Sequence, residues 1–417
     1  MKPSITIIGA GISGLSVGLH LHRQGFPVKI IEASDRAGGR VKTDIIDGFR
    51  LDRGFQVLLT SYPEAKILLD YEALQLKTFL PGATVLYDGG QFEIADPFRR
   101  PSALLGTVFA PVGSLKDKIN TFVLKQKLIR KSIKGIFLQE QKSSLEQLKD
   151  YGFSTKMIDR FFKPFFSGIF LENKLETPNR MFDFVMKMFS EGDAALPALG
   201  MEEIPKQLAN QLPTDTFLYH TKVVDIRENT ILTNSGAEIK SDIIILATEA
   251  NDFVSKLKSN VETKHRSVTN VYFQTTMAPS NKAVVILNAS EKKKVINNLT
   301  VMTNVSTAYA PAGKVLISVS CNGILDFEDH KLAEKIKEEL EPWFGKQVEA
   351  WSHLRTYKVQ YALPNLTILK DDLTLADMKI NENLYCCGDH LLNGSINAAM
   401  KSGRLLADLI VSEQQKN

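Results

Sequence analysis

Apolar positions along the chain change period several times, and the changes divide it into segments. Ile5–Ile8 is a short apolar run ended by Gly9, as in a buried strand. A helical pattern follows from about Ile12 to Gln24, with Leu15, Leu19 and Leu21 among its apolar positions. Gly25 supplies a left-handed cap and Pro27 blocks continuation. Val28–Glu32 reads as a second strand. From Tyr62 to about Gly192 helical stretches dominate. Within them Ser114-Leu-Lys-Asp117 and Ser143-Ser-Leu-Glu146 are capping boxes, and Thr177-Pro178 predicts a cap with proline at the first helical position. Phe217–His220, Val223–Ile226, Ile231-Leu232 and Ile239–Ala247 then predict strands. So do Ser267–Thr275, Ala283–Leu287 and Lys314–Cys321, before a helix at about His330–Trp343. Alternation in Ser267–Thr275 and Val315–Val319 suits a sheet with one wet face.

The first two strands and their helix carry candidate chemistry. Between them lies Gly9-Ala-Gly11-Ile-Ser13-Gly14. Gly9 allows the tight turn, Gly11 lets a pyrophosphate approach the backbone, and Gly14 lets helix and strand pack closely. The helix N-terminus offers unpaired N–H groups to phosphate. Glu32 ends the second strand 23 positions after Gly9, where its carboxylate can accept from ribose hydroxyls. Together these predict a dinucleotide site. Arg36-Ala-Gly38-Gly39-Arg40 follows, two glycines that free the backbone to lie against a ligand and two arginines suited to phosphate or carbonyl oxygens. Asp52-Arg-Gly54-Phe55-Gln56 adds a further close approach, and near the other end stands Gly388-Asp389-His390 with Gly394-Ser395-Ile396-Asn397.

Composition narrows the class. At 417 residues the chain exceeds the ~250–300 residues at which single cores stop growing. Hydrophobic residues make up 44% and the net charge is +4, too small to argue for nucleic acid. Cys321, Cys386 and Cys387 form no disulfide framework, which fits a reducing, cytoplasmic compartment. None of the seven histidines has a metal-ligand spacing, so no metal is expected. No apolar run reaches the ~20 residues of a spanning helix. Between Lys116 and Lys134 there are seven Lys or Arg and one acid, interleaved with apolar residues. We read a helix with one core face and one solvated face; the alternative is peripheral contact with an anionic membrane. The aromatic run Phe161–Phe170 reads equally as core or as the wall of an apolar tunnel.

With these motifs the chain resembles the flavin amine oxidase superfamily, which holds FAD monoamine and polyamine oxidases, protoporphyrinogen oxidase and carotenoid desaturases. The resemblance rests on Gly9–Gly14, Glu32, Gly38-Gly39-Arg40 and Asp52-x-Gly54, and extends to the C-terminus. It implies an α/β fold, a discontinuous Rossmann-like FAD-binding domain with an inserted α+β substrate domain of mixed sheet plus helices. The FAD-binding parts are expected at 1–61, 195–256 and 371–417, and the substrate parts at 62–194, mainly helical, and 257–370, mainly sheet. Non-covalent FAD is expected against Gly9, Gly11, Ser13, Gly14, Glu32, Ala33, Arg36, Gly39, Arg40, Gly54, Phe55 and Gln56. Val223, by its backbone at adenine, and Gly388, Asp389, Ser395 and Ile396, on the flavin's polar side, complete the set.

The resemblance also frames the reaction. Amine oxidases of the superfamily place an aromatic residue after the C-terminal Gly, where this chain has Ser395; Tyr357 or Tyr361 could supply the second cage member. Candidate catalytic residues are His390, Lys264, in the region of a water-holding lysine, and Gln56. The expected activity is oxidation of a C–C or C–N bond of an apolar small molecule by hydride transfer to flavin N5, closer to the desaturases than to the amine oxidases. Dioxygen or a quinone would take the electrons. The alternatives are a redox-neutral flavin isomerase or a non-catalytic flavin-binding protein. A nicotinamide dehydrogenase would leave Gly38-Gly39-Arg40 and Gly388-Asp389 without a role.

Overall fold

The computed structural model describes residues 2–96, 99–248, 264–292 and 295–416. The expected boundary between 256 and 257 lies outside the described residues.

One sheet gathers strands from three distant parts of the chain. Its order is Phe217–Leu218, Val28–Ile31, Ile5–Ile8, Ile243–Leu246, Leu384–Cys386, all parallel. Ile5–Ile8 and Ile243–Leu246 are buried at every position, which is why they read as continuous apolar runs. Helix Ile12–Arg23 packs against the terminal helix Ile396–Lys416. A Cβ on Gly403 would stand 2.7 Å from the Ser13 carbonyl oxygen, so glycine is what permits this spacing. The Ser16 hydroxyl donates to the Met400 carbonyl across it at 2.8 Å.

A second sheet has seven strands, in the order Ser352–Pro364, His265–Thr275, Val315–Asn322, Asn298–Val301, Val285–Asn288, Gly82–Tyr87, Gly90–Ala95. Only the pairing of Val285–Asn288 with Gly82–Tyr87 is parallel. Helix Asp329–Phe344 covers one face through Leu332, Ile336 and Leu340, which share a core with Val271, Phe273 and Ile317.

Several elements differ from expectation. The hairpin Gly82–Ala95 lies in the stretch read as helical, and strands Asn298–Val301 and Ser352–Pro364 were not foreseen. The run Ile239–Ala247 is two strands, Glu238–Lys240 and Ile243–Leu246, in different sheets. The break falls at Ser241-Asp242, where Asp242 Oδ2 accepts from the backbone N–H and hydroxyl of Ser4. Val223–Arg227, Thr230–Thr233 and Glu238–Lys240 form a separate antiparallel sheet. Both serine capping boxes are present, at helices Leu115–Arg130 and Ser144–Asp150. Thr177 is not a cap: helix Asn179–Glu191 begins after Pro178, and the Thr177 hydroxyl accepts from Arg266 Nη1 at 2.7 Å instead.

The aromatic run resolves by helical period. Phe162 and Phe166 are fully buried and pack on Phe182, with ring centroids 6.0 and 4.6 Å away. Phe161, Phe165 and Ile169, four residues apart, face the other way. The segment is core on one side and cavity wall on the other.

Candidate active site

A cavity of about 790 Å³ joins the edge of the parallel sheet to the inner face of the second sheet. Its polar end is lined by Gly9, Gly11, Ser13, Glu32, Gly39 and Arg40 from the first strands, and by Gly388, Asp389, Ser395 and Ile396 from the last. Gly9 has φ +106°, and a Cβ there would come within 2.8 Å of the Ala247 carbonyl oxygen. At Gly11 a Cβ would meet only the Gly39 Cα, at 4.0 Å, so it would project into the cleft itself. Gly14 serves the packing of helix on turn, since its Cβ would lie 2.0 Å from the Gly9 carbonyl oxygen.

Glu32 is held in position by the chain. Its Oε2 accepts from the Ala10 N–H at 2.8 Å, and Oε1 accepts from the Ser34 N–H at 2.9 Å and hydroxyl at 2.6 Å. Across the cleft Arg40 Nη2 donates to Asp389 Oδ1. Burial pushes the Asp389 carboxyl up, but the adjacent Arg40 guanidinium outweighs burial and holds it below the usual carboxylate range. Ser395 caps the terminal helix: its Oγ accepts from the Ala398 N–H at 3.0 Å and donates to Asn393 Oδ1 at 2.7 Å. Ser395 and Ile396, at the start of that helix, line the cavity. The His390 ring folds over Gly388, where a Cβ would stand 2.3 Å from its Nδ1. Gln56 donates through Nε2 to the Arg40 carbonyl at 3.2 Å, and its buried Oε1 has no partner among the described residues. The hydroxyl oxygen of Thr248, also in the lining, is likewise buried without one.

The opposite end is apolar. Phe161, Phe165, Ile169, Met181, Val185 and Phe189 face Val268, Val285 and Leu287 of the second sheet. Arg266 also lines this region, with Nη1 donating to the Phe170 carbonyl and the Thr177 hydroxyl at 2.7 Å each.

Most sequence-predicted site residues meet at this cavity, including Gly54, Phe55, Gln56 and His390. Others stand apart. Arg36 lies in an ion-pair cluster with Glu202, Asp44 and Asp35 and does not line the cavity. Ala33 is exposed beyond the strand end, and Val223 is buried in a small core with Ile8, Ile31 and Ile231. Lys264 is exposed outside the lining, two residues before Arg266. Neither tyrosine proposed for an aromatic cage reaches the cavity. Tyr357 donates its hydroxyl to Asp44 at 2.8 Å, and Tyr361 is 47% exposed beside His265. Arg266 and Thr248 were missed; a lone arginine near the start of an apolar strand was the available signal for the first.

The residues at the polar end fit FAD: a glycine cradle for pyrophosphate, a fixed carboxylate for ribose, a cation, a helix N-terminus, and two buried oxygens in need of partners. Fold and site together define a protein built around a dinucleotide cofactor, with a site suited to a flavin. The chain belongs to the family described as flavin containing amine oxidoreductase, whose model matches residues 12–411. Among its relatives is a 1-hydroxycarotenoid 3,4-desaturase of Flavobacterium sp. (strain P99-3), 27% identical over 191 residues, 44% of this chain and 36% of that protein. Another is polyamine oxidase 4 of Oryza sativa subsp. japonica, 38% identical over 88 residues, 21% of this chain and 18% of that protein. These matched stretches cover about a third or less of each relative's length. In fold, the chain matches a putative protoporphyrinogen oxidase from Exiguobacterium sp. 255-15 with a TM-score of 0.73 at 16% identity, over 99% of this chain and 100% of that one.

Proposed function

We propose that this chain is an FAD-dependent oxidoreductase that oxidises a C–C or C–N bond of an apolar small molecule. FAD would be bound non-covalently, and dioxygen or a quinone would be the final electron acceptor. When bound, FAD supplies the hydride acceptor. The observation that carries this reading is the cavity itself, a glycine-lined cleft opening into a chamber walled by Phe161, Phe165, Ile169, Met181 and Phe189. Such a wall orients an apolar substrate by shape and excludes water from the reacting bond. The side chain after Gly394 is Ser395, which is engaged in capping, and Tyr357 and Tyr361 lie elsewhere. An aromatic cage for an amine thus has no residue from the expected positions, which favours the desaturase-like reading.

The chain's own residues have definite tasks in it. Asp389 and Arg40 hold the polar side of the cofactor, and the capped start of the terminal helix favours negative charge there by about 0.5–2 kcal/mol. His390 and Gln56 line the cavity and would hydrogen-bond to cofactor or substrate. Cys387 is fully buried with its thiol pushed up by burial, which supports non-covalent attachment.

The test is anaerobic mixing of the yellow protein with a panel of polyenes, other cyclic or linear apolar substrates, and amines. Bleaching of the flavin absorbance by an apolar substrate is the expected result. Bleaching by amines alone would overturn the substrate preference, and turnover without net electron uptake would replace oxidation by isomerisation.

A further inference from the structure

Helix Leu115–Arg130 does not divide into a core face and a polar face. Among its buried residues are only two apolar ones, Leu124 and Leu128, with Asp117. Leu115, Ile119, Phe122 and Val123, at positions i, i+4, i+7 and i+8, form a stripe exposed by 41–63%. The short helix Leu104–Phe109 lies alongside, tied by Lys118 Nζ to the carbonyls of Val108 and Ala110. It adds Leu105 and Phe109, exposed by 71% and 80%. Scattered apolar side chains on a surface need no explanation, but six large ones on two adjoining helices mark an interaction surface.

Charge and position identify the partner. Seven Lys or Arg stand between Lys116 and Lys134 against the single acid Asp117. That carboxylate is buried, accepting from Ser114 and Ser154, and Lys125 is paired with Asp96, so the surface is left with a cationic excess. Lys116, Lys127, Arg130 and Lys134 are exposed. Two copies meeting through this patch would bring like charges together. An anionic lipid surface meets both its charge and its apolar stripe. Val108, Lys118, Phe122 and Lys125 also line the cavity, so the patch borders it.

We propose that this patch seats the protein on an anionic bilayer, with Phe109, Leu115, Ile119 and Val123 at the acyl boundary and the lysines at the phosphates. The cavity then opens onto the membrane, and an apolar compound passes into it without crossing water. The binding claim holds whichever bond the enzyme oxidises.

The test is sedimentation of the full chain with vesicles of equimolar phosphatidylcholine and phosphatidylglycerol, and with phosphatidylcholine alone. The protein should pellet with the anionic vesicles, and less so as salt is raised. Phe109→Ser combined with Ile119→Asp and Val123→Asp should weaken this by about tenfold or more with the circular dichroism spectrum and melting midpoint kept. The single variant Phe109→Ser, at the most exposed site, should show the same direction if the triple variant folds poorly. Wild type remaining in the supernatant, or variants that pellet equally well, would overturn the proposal. So would a concentration-dependent wild-type dimer that the variants make monomeric.

Discussion

The guanidinium of Arg40 is ion-paired with the carboxylate of Asp389, 349 residues later in the chain. Arg40 follows the glycine pair beside the first turn, and Asp389 follows the last strand of the same parallel sheet. The pair bridges the two walls of the cleft. Asp389→Ala should therefore lower flavin affinity by about ten- to a hundredfold, the range for losing a charge-assisted hydrogen bond of roughly 1.5–3 kcal/mol. Flavin released per chain on denaturation measures it, and undiminished flavin content would remove Asp389 from the site.

Two glycines of one motif should fail in different ways. At Gly11 a side chain projects into the cleft, so Gly11→Val should fold with an unchanged melting profile and contain no flavin. At Gly14 a Cβ collides with the Gly9 carbonyl oxygen at 2.0 Å, so Gly14→Ala should lose stability with or without cofactor. Melting of the flavin-free proteins separates the two.

Asp52 is buried, accepting from the Thr43 hydroxyl at 2.5 Å, the Met201 N–H at 2.9 Å and the Tyr309 hydroxyl at 2.8 Å. Burial raises its carboxyl to about 6, against the pull of these donors. A folded-state value above the unfolded one means that the native state binds the proton more tightly. Stability from this group is thus complete below pH ~4 and is lost as pH rises to about 6, by roughly 3 kcal/mol. Asp52→Asn should flatten that part of the melting-versus-pH curve. An unchanged curve in the variant would assign the pH dependence elsewhere.

Ile169 shares the cavity-facing stripe with Phe161 and Phe165. Ile169→Trp should slow anaerobic flavin reduction by a bulky apolar substrate by about tenfold or more, with flavin content unchanged. Equal rates for wild type and variant would mean that the substrate does not use this chamber.

What the sequence disclosed depended on how local each cause was. Gly9, Gly11, Gly14 and Glu32 act within one strand–helix–strand unit, so their spacing was enough to find the cleft. Arg36 was harder to place, because its partners are both local, Asp35 and Asp44, and distant, Glu202 lying 166 residues away, and spacing alone does not say that they engage it. Strand Ser352–Pro364 escaped because it is an edge strand of mixed polarity, paired on one side only, with His265–Thr275. The hairpin Gly82–Ala95 carried a readable Asp88-Gly89-Gly90 turn, but helical surroundings masked it. The aromatic run could not be settled by composition, because its two faces have different fates and only the helix axis separates them.

Because Arg40 and Asp389 face each other across the cleft, the cofactor site has both walls only after the 349 residues that separate them have been made. A ribosome that has made the first strand, the glycine turn and Glu32 has made one wall, and the other follows only 349 residues after Arg40. Flavin retention is therefore a stringent readout of finished folding in this protein, and cellular flavin supply would act on the completed chain rather than on its nascent one.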